Sequence, residues 1–233
     1  MKKTNKEAMI NFHLFIKFGE KKYIKKLFEE GELFLNTVDY YTKQENKEIG
    51  DSWEDVVWTE PITDFKSRVN NTVITAPSGS LQIHEQNLSQ NLYCLWSLDD
   101  NRAIDNMNKE DNSLIIDTNN YNDFVNDGQD CYVVITNLEE FIIRIKKELD
   151  KRHLKCNMGP VKYFDERTYK GKVDPFMKRN KYEKQNEFRI IVDNKDNSPL
   201  KINIGNMFDI AQYFEENLEF KMGFAVNSEE LQE

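Results

Sequence analysis

Cysteine and histidine are scarce in this chain of 233 residues, with three of each. The thiols are Cys94, Cys131 and Cys156, and the imidazoles are His13, His84 and His153. No Cys-x-x-Cys unit occurs and no spacing suits a zinc ligand set, so no metal is expected. Three thiols cannot all pair with one another. Cys94 and Cys131 fall in apolar runs, so buried reduced thiols are the expectation. Long apolar runs are missing as well: no segment approaches the roughly 20 apolar residues that cross a bilayer. The opening MKKTNKEAMINFHLF is basic but has no export-type apolar stretch. These absences point to a reducing cytoplasm and no membrane partner. Neither Gly-x-Gly-x-x-Gly nor a Walker loop is present, which removes the usual phosphate cradles, and no Gly-x-Ser-x-Gly elbow marks a hydrolase serine.

The chain does have charge and apolar blocks. Asp and Glu number 41 against 32 Lys and Arg, a net charge of -9 that argues against a general nucleic-acid coat. One stretch is locally basic, with Lys170, Lys172, Lys178, Arg179, Lys181 and Lys184. It reads as a solvated charged helix or, less simply, as a nucleic-acid groove. Hydrophobic residues make up 39% of the chain and cluster into blocks, so a packed core is expected rather than disorder. The length suits one domain over 1–233, with polar insertions around 42–90 and 99–128.

Residues 11–18 (NFHLFIKF) read as a strand with Phe12, Leu14, Ile16 and Phe18 on one face and His13, Phe15 and Lys17 on the other. Tyr23, Ile24, Leu27 and Phe28 form one stripe of a helix over 20–30, with Gly31 as its stop. ELFLNTV (32–38) is a second strand. Residues 72–76 and 81–84 read as a hairpin around the turn Pro77-Ser-Gly-Ser80. LYCLWSL (92–98) and DCYVVIT (130–136) are strong strands, with a helix followed by a polar loop over 99–112 and a short strand over 113–117 between them. Asn137 and Glu140 start a helix running to about His153, with Phe141, Ile142, Ile145 and Leu149 buried. PVKYFD (160–165) is a short strand, and Pro175 opens a helix to about Lys184. Strands at 187–193 and 200–204, a helix at 208–218 and a strand at 220–226 complete the chain. Many short strands with few, non-alternating helices predict an α+β fold with a mixed, mostly antiparallel sheet and peripheral helices.

The seam at KYEKQNEFRI (181–190) draws the functional question, because Glu187 closes a polar run and opens Phe-Arg-Ile-Ile-Val. Glu187-Phe188-Arg189 approaches the Glu-x-Lys of metal-dependent nucleases, but Arg is no substitute for a lysine that must deprotonate. Arg189 lies two residues on and shares a strand face with Glu187, so a same-face ion pair is one reading. A catalytic strand-end carboxylate is the other.

The strand HLFIKF, the helix ending at Gly31, the strand ELFLN and the late Gln185-Asn186-Glu187 together resemble ADP-ribosyltransferase-like domains. A second resemblance, over roughly 11–193, is to an uncharacterised bacterial and phage domain family. It rests on the same opening, on Gly50-Asp51-Ser52-Trp53-Glu54, on the Cys94 strand, on Val161-Lys162-Tyr163 and on a Lys-rich helix running into Glu187-Phe188-Arg189-Ile190. The first resemblance implies an ADP-ribosyltransferase-like core that uses NAD as a substrate, by transfer to a protein or nucleic acid or by hydrolysis. Glu187 would then stabilise the oxocarbenium-like ribose and Gln185 orient the acceptor. His13, Lys17, Asn36, Tyr40, Tyr41 and Arg189 would hold NAD, the tyrosines by stacking. Asp51 and Glu54 would be acceptor-side or structural. The setting implied is a bacterial or phage effector in host–phage conflict or a toxin-like role. The alternative is a non-catalytic binding module that sequesters a nucleotide or a protein partner.

Overall fold

The structure is a computed structural model, and it describes residues 12–44, 50–70, 72–85, 89–99, 114–115, 131–215 and 221–222. Of the helix and loop expected over 99–112, Asp99 instead ends a strand, and the rest lies outside the described residues. The chain runs β1 (Phe12–Gly19), α1 (Lys21–Glu30), β2 (Glu32–Thr37), α2 (Val38–Thr42), β3 (Val56–Val69), β4 (Thr72–His84), β5 (Gln90–Asp99) and β6 (Leu114–Ile115). It continues through β7 (Cys131–Ile135), α3 (Leu138–Lys151), β8 (Cys156–Pro160), β9 (Lys162–Phe164), β10 (Gly171–Lys172) and β11 (Met177–Arg179). A 3-10 helix (Asn180–Gln185), β12 (Glu187–Asp193), β13 (Leu200–Asn203), β14 (Ala211–Glu215) and β15 (Lys221–Met222) follow. Strands dominate and their pairing is mostly antiparallel, so the chain is α+β. The chain divides into two compact units: one holds residues up to 30, 96–143 and from 206, the other 31–95 and 144–205.

In the first unit β1 lies between the second half of β5 and β7, all antiparallel, and β14 pairs with the far edge of β7. Leu14, Ile16, Trp96, Leu98, Tyr132 and Val134 form its core, with Phe18 and Phe214 against them. That is the alternation read for β1. Phe15 points the other way and is also buried, with its ring 6.4 Å from that of Phe141. On α1, Ile24 and Leu27 are buried as expected, but Tyr23 is 55% exposed. Its ring instead takes Lys22 at 4.5 Å.

In the second unit β2 pairs with β5 and β13, while β12 pairs with β5 and β8. Gly31 sits at φ +70, and a Cβ there would lie 1.9 Å from the Gly205 carbonyl oxygen. Only glycine fits both the left-handed backbone and the close approach. Asn137 caps α3 as read: its Oδ1 accepts the Glu140 N–H at 3.1 Å. Its own N–H donates to Ile210 O, so the reciprocal half of the capping box goes to β14's approach.

Three local readings are corrected. Pro77-Ser-Gly-Ser80 is not a turn: β4 runs through it, paired with β3 from Val69↔Thr72 to Val56↔His84. The chain reverses between Val69 and Thr72, where Asn70 adopts φ 47, as hairpin turns with positive φ require. The helix expected from Pro175 is a turn, then β11 parallel to β9, then the 3-10 helix. The helix expected over 208–218 is a turn followed by β14. In the last two cases a ladder partner decides: β9 and the edge of β7 offer N–H and C=O groups that outweigh local helix propensity.

Candidate functional site

The seam before Phe188 is built by one backbone inversion. Asn186 closes the 3-10 helix at φ 44, its N–H donating to Glu183 O, and β12 starts at the next residue. Asparagine tolerates this conformation better than most residues. The Glu187 N–H donates to the Tyr163 hydroxyl at 2.9 Å and its carbonyl accepts from Val161 N at 2.9 Å. The carboxylate is therefore aimed by its backbone before any side chain engages it.

Its surroundings are charged and buried. Arg189 is 0% exposed, Lys178 5% and Glu187 7%. Arg189 Nε donates to Glu187 Oε2 at 2.7 Å, and Lys178 Nζ donates to Glu187 Oε1 at 2.5 Å. The Arg189 guanidinium grips Glu54 in a fork, Nη1 to Oε2 at 2.8 Å and Nη2 to Oε1 at 2.6 Å. Nη1 also donates to Pro175 O at 2.7 Å. Lys178 Nζ reaches Gln185 Oε1 at 2.6 Å and lies 4.6 Å over the Tyr182 ring. Planar bidentate geometry and full hydrogen bonding are what allow an arginine to be buried.

Next to this quartet a second pair joins Arg179 Nη2 to the buried Asp51. The Arg179 guanidinium also stacks over Trp53 at 4.7 Å, and Tyr182 donates its hydroxyl to Gly50 O at 3.2 Å. The segment 50–54 is thus stapled to β11, β12 and the 3-10 helix. Trp53 packs with Val56, Phe164 and Val173, sealing a core edge.

Burial alone would push the Glu187 carboxyl up, but Arg189 and Lys178 outweigh it and hold it well below the usual carboxylate range. Burial would lower Lys178, yet Glu187 and Glu54 raise it, and the same two carboxylates raise Arg189. The Tyr41 hydroxyl is raised first by burial, then by Cys94, Glu54 and Glu187 nearby. Glu54, Lys178, Glu187 and Arg189 carry two charges of each sign and sum to zero.

Of the residues singled out in sequence, Glu187, Gln185 and Arg189 come together, and Tyr41 lies within their electrostatic reach. Tyr40 is 39% exposed, with its ring 5.3 Å from that of Tyr41. Asn36 lies on β2 opposite Leu92, beside Thr37, whose Oγ1 accepts the Tyr40 N–H at 3.1 Å to start α2. His13 and Lys17 stand on β1, in the first compact unit. Lys178 escaped notice because it reads as one cation in a basic run. Within that run Lys178 and Arg179 face inward onto carboxylates, and Lys170 pairs with Glu60, so it is not a solvated helix. Among the described residues no three His, Cys, Asp or Glu side chains gather as a metal site, and no helix is long and apolar enough to cross a membrane.

No known protein family, curated protein or solved structure matches the chain.

Proposed function

We propose that the chain is a non-catalytic binding module, a phage or bacterial-defence component, with the Glu54–Lys178–Glu187–Arg189 quartet as its internal brace. The observation that carries this is the commitment of both Glu187 oxygens to buried cations. A carboxylate that stabilises an oxocarbenium-like ribose must present net negative charge to the substrate. Here that charge is already cancelled within the fold. Freeing it would break a buried pair, at a cost of about 3–5 kcal/mol. The exposed apolar residues of β4 favour a protein partner over a nucleotide.

One observation favours a second reading. Lys178 ties Gln185 and Glu187 together, which keeps the Gln-x-Glu order of an ADP-ribosyltransferase acting on NAD. Nicotinamide release from NAD by the purified protein, with Glu187→Gln beside it, separates the two. The binding module releases none and gives no heat on titration with NAD. Release that Glu187→Gln abolishes would overturn it in favour of the transferase.

A further inference from the structure

The β3–β4 ribbon has two unlike halves. Val56–Thr63 on β3 and Ser78–His84 on β4 are anchored. Val56 is buried against Phe164 and Val173, the Val173 N–H donates to Val57 O at 3.0 Å, and β10 pairs with β3 at Trp58 and Thr59. Thr59 is fully buried, Lys170 pairs with Glu60, and His84 Nδ1 lies 2.8 Å from Asp55 Oδ1. From Phe65 to Ala76 this support ends. Among the described residues no third strand pairs there. Thr72, Val73, Ile74 and Thr75 are all exposed. Successive strand residues face opposite sides, so both faces of this half meet solvent. A hairpin held only by its own ladder is marginal in water.

The two halves meet where the ladder is broken. Thr63 pairs with Ser78 and Phe65 with Ala76, yet Asp64 and Pro77 between them are unpaired. Pro77 has no N–H to give. Asp64 adopts φ 53, a left-handed backbone inside a strand, which Asp tolerates better than most residues with a Cβ. The irregular residue of each strand thus lies at the same level of the ribbon as that of the other.

We propose that Asp64 and Pro77 form a joint, and that 65–76 is an arm that swings on it while the anchored half stays in place. Hinges of this kind confine the change in φ and ψ to a few residues between bodies that keep their own pairing. Here the arm keeps its ladder from Phe65↔Ala76 to Val69↔Thr72. Phe65–Val69 spans about 16 Å at roughly 3.3 Å per residue, so a swing of about 20° carries the tip about 6 Å. For a binding module the use of such an arm is adaptation, since the exposed Val73 and Ile74 can meet a partner at more than one angle. The joint is a property of the ribbon's own ladder and stands without the binding reading.

Amide hydrogen exchange of the full chain, read residue by residue by NMR, tests this. The ladder amides of 65–76 exchange about 10-fold faster or more than those of 56–63 and 78–84, with a step at Asp64 and Pro77. A smooth decline toward Asn70 is ordinary fraying and would overturn the joint, as would equal protection in both halves. Asp64→Val combined with Pro77→Val supplies the missing donor and disfavours the left-handed backbone. The step then shrinks to less than about 3-fold, and the anchored half is unchanged. Asp64→Gly keeps the left-handed backbone free of steric cost and adds freedom, so the step stays or grows. A step that survives undiminished in a double variant with the wild-type circular dichroism, or one that vanishes in Asp64→Gly, sinks the proposal. If the double variant loses that spectrum, the wild-type profile and Asp64→Gly still decide.

Discussion

Glu187→Gln changes one oxygen to an NH2 and leaves the size of the side chain untouched, so it isolates the charge. In the wild type each Glu187 oxygen accepts from a different cation, Arg189 Nε at 2.7 Å and Lys178 Nζ at 2.5 Å. An amide can turn its oxygen to only one of them, and its NH2 then abuts the other. Two buried cations remain with Glu54 as their only near carboxylate among the described residues, at 2.6 Å from Arg189 and 3.7 Å from Lys178. Leaving a buried charge uncompensated costs about 3–5 kcal/mol. In a chain of this size each kcal/mol moves the melting midpoint by about 2–4 °C, so the expected fall is roughly 6–20 °C. Lys178→Met added to Glu187→Gln restores neutrality, with Arg189 still forked on Glu54. The double variant should therefore recover at least about half of the loss. Differential scanning calorimetry of the three proteins reads this directly. A Glu187→Gln midpoint within about 2 °C of wild type would refute the reasoning, because the carboxylate would then carry no buried charge balance.

Acid should weaken the same brace. Glu187 ionises in the fold well below its ordinary value of 4.5, so its contribution is complete above that value and is lost as pH falls toward the folded one. Urea midpoints from pH 7 to pH 3 should drop for the wild type and drop less for Glu187→Gln. Gly31→Ala should destabilise by more than about 1 kcal/mol, the glycine's φ of +70 and the Gly205 oxygen both opposing a Cβ, and a thermal melt shows it. Asn137→Ala removes the cap on α3 and should cost about 1 kcal/mol, lowering the midpoint by about 2–4 °C.

Legibility in the sequence followed the range of the forces involved. The opening β1–α1–Gly31–β2 was readable because its periodicities and its stop are local. The Glu187–Arg189 pair was readable too, since two residues on one strand share a face. The site's other half was not. Glu54 lies 135 residues from Arg189 along the chain, and nothing in GDSWED distinguishes a buried carboxylate from a solvated one. β11 and β14 carried no alternation of their own and became strands because β9 and β7 supplied ladders. At the ribbon the Pro-Ser-Gly-Ser signal outweighed the quieter Asn70, whose left-handed backbone is where the chain turns.

Arg189 also sets an order of events during synthesis. Its guanidinium is satisfied by Glu54, by the Pro175 carbonyl and by Glu187, three places that leave the ribosome at very different times. Glu54 must wait, wet and without its guanidinium, until β12 has emerged, so this unit cannot close while the chain is being made from its front end. The interval exposes β3 and β4 with their apolar side chains to whatever else is nearby. A nascent chain halted before β12 should remain open to protease at 50–70, and one halted after β13 should not.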